Sequence, residues 1–393
     1  MEDVYIISAC RTAVGGFGGQ TKDVPIQKLG AVVLNEALRR AGVEGDAVDE
    51  VILGNVIQGM LQLAPARVAA LEAGLPDFVP AYTVNKACGS GLKAVALGAQ
   101  AIRADEASVV LTGGMESMNT VPFALPGARW GYRLGTQNAV DMLTDALTCP
   151  VEHIHMGVTA ENVAERHGIE RLEQDEYAAG SYSKALAAQR AGKFKEEIVP
   201  FEIEQRRGGA VLFDTDEDPR ETTFESLSAL RPAFKQDGTV TAGNASNIDD
   251  GASALLLASG TAVAEKGFKP LARITGAASA GLEASHMGHG PARAIPRLMK
   301  KLGWNYQDID LWELNEAFAA QTLGVLRELP EINKDRVNVN GGAIALGHPV
   351  GASGAKILTT LLYALRDRGG KRGVASLCIG SGMGIALGVE LVN

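Results

Sequence analysis

The sequence predicts an α/β fold in which two related halves enclose an inserted lobe. Three observations lead to this fold class: strand and helix patterns that alternate from the first residues, a long irregular segment in the middle, and a weak internal repeat. Alternating strands and helices are typical of layered α/β sheets. A repeated α/β unit predicts two copies packed around a pseudo-two-fold axis.

The first residues show the alternating pattern most clearly. Residues 4–9 are almost entirely apolar and predict a buried strand, and the glycine-rich stretch 15–19 predicts a turn. The apolar spacing over 26–41 then predicts an amphipathic helix. Similar strand and helix signals continue to about residue 118.

The middle of the chain, residues 119–245, has more charge, several prolines and weaker periodicity. Helices are expected near 159–192, and an acidic turn is expected over 214–218. An insertion of this kind often shapes a binding site. We therefore expect an inserted lobe that contributes to the binding of a ligand.

The repeat relates segments that lie about 260 residues apart. The paired segments are 49–55 with 310–315, 89–93 with 352–356, and 109–115 with 375–381. Equivalent loops of the two copies should converge on one crevice, so residues far apart in sequence could share a site. The predicted boundaries are 1–118 with 246–268 for the N-terminal half, 119–245 for the lobe and 269–393 for the C-terminal half.

Composition excludes several classes of function. The 393 residues are 46% hydrophobic and 21% charged, which is enough for a large core in two or three lobes. The net charge is −9 and there is no long run of Lys or Arg, so nucleic acid is not an expected partner. No leader segment and no apolar stretch of about 18 residues is present, which predicts no membrane span and a cytoplasmic location.

The four cysteines are Cys10, Cys88, Cys149 and Cys378, and they are far apart in sequence. They lack the paired spacing of zinc sites and are too few for a disulfide framework, so free thiols are expected. A single cysteine is most simply a small buried hydrophobic residue. Assigning chemistry to any of them therefore needs an argument from its position.

Cys88 has such a position, because it follows a predicted strand at 81–84 and precedes an alanine-rich helix. The unpaired N–H groups and the dipole of a helix N-terminus favour a thiolate, which predicts a lowered pKa and a nucleophile. An alternative is that Gly89-x-Gly91-x-x-Ala94 is a dinucleotide-binding fingerprint. That motif is weak here because a cysteine precedes its first glycine and the segment lies far from the chain start.

His348 and Cys378 lie in two further glycine-rich stretches. Residues 340–354 contain too many glycines for a helix or strand before about Ala355. A histidine is usually structural, but His348 becomes a candidate base if its loop meets the Cys88 loop. Cys378 ends an apolar strand beside the glycines of 380–384, and an inert thiol and a reactive thiol are equally consistent with that position.

Read together, four sequence blocks resemble the signature blocks of thiolases in order and spacing. They are NKACGSGLKA around Cys88, NEAFA around Asn315, GGAIALGHPVGASG around His348 and CIGSGMG around Cys378. The resemblance extends from VYIISACRT at the start to the last strand. It implies a five-layered αβαβα fold, a loop lobe that binds coenzyme A, and assembly as a homodimer or homotetramer.

The resemblance also implies catalytic roles. Cys88 would take the acyl group, His348 would activate Cys88, and Cys378 would be the acid/base at the substrate α-carbon or the departing thiol. Asn315 would hold a water that forms one oxyanion site with His348. The backbone N–H groups of Cys88 and Gly380 would form the other. Coenzyme A thioesters would be substrates, with no permanently bound cofactor and no metal.

Contacts to coenzyme A are expected mainly in the lobe. The resemblance places His155 and Met156 at the pantetheine and acyl pocket and Ala242 and Ser246 in a loop beside pantetheine. Ser226 and Arg220 fall near positions that contact adenine and phosphates, and a solvated surface charge is the equal alternative for Arg220. His153-x-His155 could instead be a metal pair, although no further residue has ligand spacing. Ser381 and Asn247 stand where the family usually has glycine, Ala87 replaces a larger apolar residue, and residues 148–154 depart from the short-chain enzymes, so the preferred acyl length stays open.

The function that the resemblance implies is the reversible joining of two acetyl-CoA molecules into acetoacetyl-CoA and CoA. A 3-ketoacyl-CoA thiolase of fatty-acid β-oxidation, with a wider acyl pocket, is the near alternative. From other classes, an NAD-binding oxidoreductase should be stabilised by NAD, and a non-catalytic thiolase-like lipid binder should lack a catalytic group. All four catalytic side chains are present.

Overall fold

The computed structural model describes residues 2–204 and 208–392 of the chain. The strands are β1 Val4–Arg11, β2 Gly15–Gly16, β3 Glu50–Gly54, β4 Ala81–Val84, β5 Val109–Ser117, β6 Phe123–Ala124, β7 Val140–Asp141, β8 Phe201–Glu204, β9 Ala210–Phe213, β10 Asp249–Ser259, β11 Ala272–Gly281, β12 Leu311–Leu314, β13 Arg372–Ile379 and β14 Met383–Leu391. The helices are α1 Ile26–Ala41, α2 Pro65–Glu72, α3 Ser90–Arg103, α4 Met142–Ala146, α5 Met156–His167, α6 Arg171–Arg190, α7 Phe224–Ser228, α8 Gly260–Lys266, α9 Gly290–Leu302, α10 Ala319–Glu328, α11 Ala343–Leu346 and α12 Ser353–Arg368.

One mixed sheet runs through both halves, in the order β12-β13-β14-β11-β1-β10-β5-β3-β4, with β2 beside β10. The pairs β3–β4, β3–β5 and β12–β13 are parallel, and the other neighbours on this path are antiparallel. The halves join at β1 and β11, where Tyr5 pairs with Arg273 and Ile6 pairs with Ala272. This short junction separates the strands of the two halves.

Three hydrophobic clusters fill the four spaces between five layers, because the central cluster lies on both sides of the central helices. Leu29 and Leu34 of α1 belong to the cluster on one outer face, Leu92 of α3 and Leu358 of α12 to the central cluster, and Ile295 of α9 to that on the other outer face. The strands of the two halves form separate sheet layers on either side of the central helices. The order of layers is therefore helices, sheet, central helices, sheet, helices. This arrangement is the predicted αβαβα fold.

The two central helices approach each other closely at their N-terminal ends. A Cβ at Gly354 would lie 2.3 Å from the backbone N of Leu92, and a Cβ at Gly91 would lie 2.9 Å from that of Ala355. Only glycine fits such backbone contacts. Because the Cys88 loop enters α3 and the His348 loop enters α12, this packing brings the two loops together.

The segment 119–245 carries β6–β9 and α4–α7, and its two long helices α5 and α6 occupy the region predicted to be helical. The acidic stretch at 214–218 is not wholly exposed. Asp216 is buried and receives two hydrogen bonds from the Arg11 guanidinium of β1, at 2.7 and 2.9 Å. The Arg11–Asp216 pair anchors this segment to the sheet. The domain boundaries given above stay a prediction.

None of the helices described by the structure combines the length and apolar character needed to cross a membrane. The longest is α6, whose 20 residues include charged side chains throughout.

Candidate active site

Cys88 lies in a tight turn that leads directly into α3. Gly89 is the N-cap of the helix, and Ala87 has a left-handed φ of +43°. The Ser90 hydroxyl donates to the Ala87 carbonyl at 2.6 Å and accepts the Lys86 N–H at 2.8 Å. The predicted position of Cys88 at a helix N-terminus is therefore confirmed.

The predicted direction of its pKa is wrong. Burial raises the pKa of Cys88 to about 11, although the backbone N–H groups of Gly380 and of Cys88 itself favour the thiolate. Removing the sulfur from water costs the charged form more than these donors return. At neutral pH the side chain is a thiol, and its nucleophilicity depends on a base.

His348 is oriented by Ser353 on the first turn of α12. Its Nδ1 lies 2.6 Å from Ser353 Oγ, and the Ser353 hydroxyl donates its hydrogen to the Pro349 carbonyl at 2.9 Å. With that hydrogen donated to the carbonyl, Oγ is left to accept from Nδ1–H, and we assign the ring proton of His348 to Nδ1. The other ring nitrogen, Nε2, is thereby left unprotonated with its lone pair free.

The environment keeps this imidazole neutral. Burial, with a smaller effect from the Lys356 ammonium, lowers the pKa of His348 to about 3. Its Nε2 is buried and has no hydrogen-bond partner among the residues that the structure describes. Nε2 of His348 is therefore available as a proton acceptor at neutral pH.

The His348 loop is fastened to the half that carries Cys88. Its Gly351 N–H donates to Glu116 at 2.9 Å, and the same carboxylate accepts the N–H groups of Val56 at 2.9 Å and Ile57 at 3.2 Å. The backbone N–H of His348 also donates to Asp249 Oδ2 at 2.5 Å. Two acidic side chains thus fix the imidazole loop against strands of the other half.

The loop is more regular than the sequence predicts. Ala343–Leu346 forms a single helical turn, and α12 begins at Ser353 rather than near Ala355. The glycines are still required, because Gly347 has φ +81° and a Cβ there would lie 2.7 Å from the Asp249 carboxyl carbon. Close packing against Asp249, rather than disorder, accounts for the glycine content.

Cys378 lies beside Cys88 at the end of β13. Burial raises the pKa of Cys378 well above its usual value, and the neighbouring Cys88 sulfur raises it further. All four cysteines in the described part of the chain are free thiols, as predicted. The two sulfurs and the Gly380 N–H, which points at Cys88, form one cluster from the two halves.

Asn315 follows β12, and its backbone N–H donates to the Ser376 carbonyl at 2.9 Å. Both polar atoms of its side-chain amide are buried without a hydrogen-bond partner within residues 2–204 and 208–392. A buried amide with neither group satisfied is costly unless something else occupies the space beside it. The site can therefore hold a water or a ligand oxygen at this amide.

A cavity of about 470 Å³ is lined by His348, whereas the other predicted catalytic residues, Cys88, Cys378, Asn315 and Gly380, are not among its lining residues. Five of the six residues predicted to contact coenzyme A line it: His155, Met156, Arg220, Ala242 and Ser246. Ser226 is not among the lining residues; it lies on the exposed helix α7, where it forms a capping box with Thr223. The Ser226 contact stays a prediction.

The inner wall of the cavity is aromatic and sulfur-rich. The His155 ring stacks on Phe234 with centroids 4.8 Å apart, and its Nδ1 accepts the Gly157 N–H at 3.1 Å. Met156 Sδ lies 3.5 Å from the position of a Cβ at Gly380. His155 is thus fixed by the start of α5, whereas His153 is exposed with φ +56°, so the structure gives no support to a metal pair there.

The roles of four residues in the site were not predicted from the sequence. Ser353, Asp249 and Glu116 position His348 or its loop, and Asn247 donates to Asp218 at 2.9 Å at the cavity wall. The repeat contained a signal for Ser353, since it aligns with Ser90 before the equivalent helix. The other three depend on contacts between distant segments.

Comparisons with known proteins agree with this geometry. The family model "Thiolase, N-terminal domain" matches residues 4–261, and "Thiolase, C-terminal domain" matches residues 268–391. An acetyl-CoA acetyltransferase of Cupriavidus necator is 53% identical over 392 residues, covering 99% of this chain and 100% of the relative. One of Pseudomonas aeruginosa is 52% identical, covering 98% and 99%. The crystal structure of the Bacillus anthracis acetyl-CoA acetyltransferase superimposes with a TM-score of 0.98 at 46% identity, covering 100% of this chain and 99% of that one.

Proposed function

This chain belongs to the thiolase family, and we propose that it joins two acetyl-CoA molecules into acetoacetyl-CoA and CoA, reversibly, through an acetyl group carried on Cys88. Relatives about half identical over their whole length are named acetyl-CoA acetyltransferases. The observation that carries the mechanism is the free, buried Nε2 of His348, which is held in one tautomer by Ser353.

Acylation begins with two neutral partners. As the Cys88 sulfur attacks the thioester carbonyl of acetyl-CoA, its proton moves to Nε2 of His348. The carbon–sulfur bond to CoA then breaks, and the departing thiolate takes the proton of Cys378. Acetyl-Cys88, a protonated His348 and a Cys378 thiolate remain. A covalent intermediate of this kind divides one difficult step into two easier ones.

Condensation uses the two charges that acylation leaves. The Cys378 thiolate removes a proton from the α-carbon of a second acetyl-CoA, and the enolate oxygen receives hydrogen bonds from Nε2–H of His348 and from a water held by Asn315. The α-carbon attacks the acetyl group, and the Cys88 sulfur departs and takes back its proton from His348. Every proton is returned, and the products are acetoacetyl-CoA and CoA.

Two groups of donors stabilise the developing negative charges. The backbone N–H groups of Cys88 and Gly380 would receive the oxyanion formed on the acetyl group, and His348 with the Asn315 water would receive the enolate. Preorganised donors of this type contribute about 3–4 kcal/mol each to transition-state stabilisation. Both thiols have raised pKa values in the resting protein, so charge arises only as substrate bonds change.

The cavity beside the site suits the pantetheine arm of coenzyme A. Ser246 and Ala242 line its wall, and the exposed Arg220 guanidinium, which lies over the Tyr182 ring at 5.0 Å, stands where it can meet a phosphate. We propose His155, Met156, Arg220, Ala242, Ser246 and Ser226 as coenzyme A contacts, with no permanently bound cofactor. A thermal shift measurement supports this assignment if CoA, but not NAD, raises Tm.

We also propose a homodimer or homotetramer in the cytoplasm. Within the lobe, Trp130 is 88% exposed and Leu134 is 98% exposed. Large apolar side chains that are almost fully exposed within one short segment favour a surface that another protein covers. Analytical ultracentrifugation measures the oligomeric state directly, and a monomer at micromolar concentration would contradict the proposed assembly.

The decisive experiment separates acylation from condensation. Wild-type protein mixed with acetoacetyl-CoA and CoA should consume acetoacetyl-CoA, followed by loss of its Mg²⁺-enolate absorbance. Radiolabelled acetyl-CoA should label the wild type, Cys378→Ala more slowly, and Cys88→Ala not at all. The buried Cys149→Ala variant is the matched control and should keep full turnover. No turnover with acetoacetyl-CoA or longer 3-ketoacyl-CoAs, or a labelled Cys88→Ala, would refute the mechanism.

The wall of the cavity favours short acyl groups. Met156 approaches Gly380 closely, and Phe318 and Phe234 close the same side. Each additional methylene in a fitted pocket changes discrimination by about 1–3 kcal/mol. We expect kcat/KM to fall steeply from acetoacetyl-CoA to longer 3-ketoacyl-CoAs, and Met156→Ala to flatten that fall. A flat profile in the wild type would favour the broader 3-ketoacyl-CoA thiolase.

A further inference from the structure

Two histidines and a glutamate meet at the junction of three helices, away from the catalytic cluster. His167 is the last residue of α5, His289 is the N-cap of α9, and Glu328 is the last residue of α10. Nε2 of His167 lies 2.8 Å from Nε2 of His289 and 3.4 Å from Glu328 Oε1. One potential ligand atom from each of the three residues lies within 4.8 Å of the other two.

A simple hydrogen-bonded pair does not account for this cluster. His289 has no exposed surface, and its Nδ1 has no hydrogen-bond partner in the part of the chain that the structure describes, being 3.5 Å from Glu328 Oε1. A buried, unsatisfied ring nitrogen costs about 1–3 kcal/mol.

We propose that His167, His289 and Glu328 form a binding site for one borderline divalent transition-metal ion, of the class of Zn²⁺ or Co²⁺. Two imidazoles and a carboxylate are a ligand set that such ions prefer. Bonds of about 2.0 Å at tetrahedral angles place ligand atoms ~3.3 Å apart. The separations of Glu328 Oε1 from His167 Nε2, 3.4 Å, and from His289 Nδ1, 3.5 Å, fit this value, and the contact of 2.8 Å between the two Nε2 atoms has to break when the ion binds.

The surrounding charges are compatible with a cation. Two of the three nearby arginines are paired with carboxylates outside the site, Arg166 with Glu283 and Arg327 with Glu173, and Arg293 is paired with the proposed ligand Glu328. The Arg293 contact uses Oε2 of Glu328, which leaves Oε1 towards the histidines. A ligating carboxylate whose second oxygen is hydrogen-bonded is typical of metal sites.

An ion can reach this site from solvent. The side chains of His167 and Glu328 are 17% and 18% exposed, whereas His289 forms the buried end of the cluster. Three protein ligands leave a fourth position for water on the exposed side. The geometry therefore describes an open, surface-accessible site rather than a closed core.

The ion would act on the fold and not on the acyl chemistry. Helix α5 has 12 residues between Met156, at the cavity, and His167, which corresponds to a length of about 18 Å. Metal bound at its far end would fasten α5 to α9 and α10 and stabilise the native state in proportion to its occupancy. Turnover of the metal-free protein should be intact, so this site can fail without any consequence for the proposed function.

Titration with Co²⁺, followed by its visible absorption and by calorimetry, tests the site in the full-length protein. We expect one ion per chain, a spectrum without thiolate-to-cobalt charge transfer, and a rise in Tm of about 2–4 °C when the site is saturated. His167→Asn and Glu328→Gln should each weaken binding at least about tenfold. His153→Asn, which removes an exposed histidine elsewhere, is the matched control and should bind like the wild type.

Competing outcomes are distinguishable. Binding that survives His167→Asn but disappears in Cys88→Ser would place the ion on the catalytic thiols and overturn the proposal. Equal losses in His153→Asn and His167→Asn would indicate unspecific surface binding and would also overturn it. Retained thiolysis of acetoacetyl-CoA by His167→Asn shows that this variant is folded, so weak binding cannot be attributed to misfolding.

Discussion

The loops that enter the two central helices each contain a serine whose hydroxyl donates to a preceding backbone carbonyl, but the two serines have different roles. Before α3, the Ser90 hydroxyl donates to the carbonyl of Ala87, three residues back, and closes the Cys88 turn. Before α12, the Ser353 hydroxyl donates to the carbonyl of Pro349, four residues back, and also accepts from the His348 ring. One serine only shapes a loop, whereas its repeat equivalent also fixes the tautomer of the base.

The asparagines that follow equivalent strands differ in the same way. Asn55 after β3 donates to Glu116 at 2.8 Å and completes the anchor of the His348 loop. Asn315 after β12 keeps both amide atoms without partners among the described residues. The amide nitrogen of Asn55 is bonded and supports the fold, although its Oδ1 has no partner, whereas neither polar atom of the Asn315 amide has a partner in the described part of the chain. The comparison shows that equivalent positions in two copies of one structural unit can have different roles, one in stabilising the fold and one in catalysis.

The greatest contrast between the loops is the sulfur of Cys88, because the equivalent position before α12 is Gly351. If burial governs this thiol, its alkylation by iodoacetamide should accelerate about tenfold per pH unit between pH 7 and 10, about 10³-fold in total, without an inflection near 8.5. Mass spectrometry of the labelled peptide gives the rate, and His348→Asn removes assistance by the base. A rate that is level above pH 7 would show that the N-terminus of α3 outweighs burial.

Substitution of the two asparagines should separate their roles. Asn315→Ala removes no hydrogen bond to another described residue, so we expect a smaller loss of stability than in Asn55→Ala and a fall in kcat of about 10²–10³-fold, because one oxyanion donor is lost. Asn55→Ala takes a donor from buried Glu116 and should lower the free energy of unfolding by about 1–3 kcal/mol. Steady-state kinetics and calorimetry measure both. A similar loss of stability in both variants would remove the distinction.

Substitution of Ser353 and Ser90 should separate their roles in the same way, with smaller effects on kcat and stability. Ser353→Ala frees Nδ1 of His348 and allows the wrong tautomer, which should lower kcat about tenfold with little change in KM. Ser90→Ala should affect stability more than kcat, since no imidazole depends on it. Ser353→Thr restores the hydroxyl and should recover part of the rate. If Ser90→Ala slows turnover as much as Ser353→Ala, both serines act only through loop shape.

Much of this architecture could be predicted from the sequence, because local patterns determine it. Helix α1 and strand β4 have the predicted bounds, and the internal repeat correctly indicated that the loops of Cys88, His348 and Cys378 would meet. Helix and strand periodicity depend on neighbouring residues, and glycine spacing shows where backbones approach. Periodicity and glycine spacing can be identified in the sequence without knowledge of tertiary contacts.

Features that depend on distant contacts could not be predicted in this way. The high pKa of Cys88 follows from burial by other segments, which outweighs the helix N-terminus that is visible in the sequence. His167 and His289 are 122 residues apart, so their spacing carries no metal motif. Asp216 lies in an acidic stretch for which the sequence predicts only a turn, and its burial against Arg11 depends on a strand residue 205 positions away in the chain. In each case the deciding partner comes from another part of the chain.

A last difference between the halves lies in the backbone. Met115 continues strand β5, but its repeat equivalent Ser381 leaves the strand with φ +66° in the turn after Gly380. A left-handed conformation costs a residue with a Cβ roughly 1–2 kcal/mol, part of which glycine gives back through its greater freedom when unfolded. Ser381→Gly should therefore raise the free energy of unfolding by about 1 kcal/mol, seen in calorimetry as a Tm increase of about 1–2 °C. Ser381→Ala keeps the Cβ and should give no increase; an equal gain in both variants would attribute the strain to the hydroxyl instead of the turn.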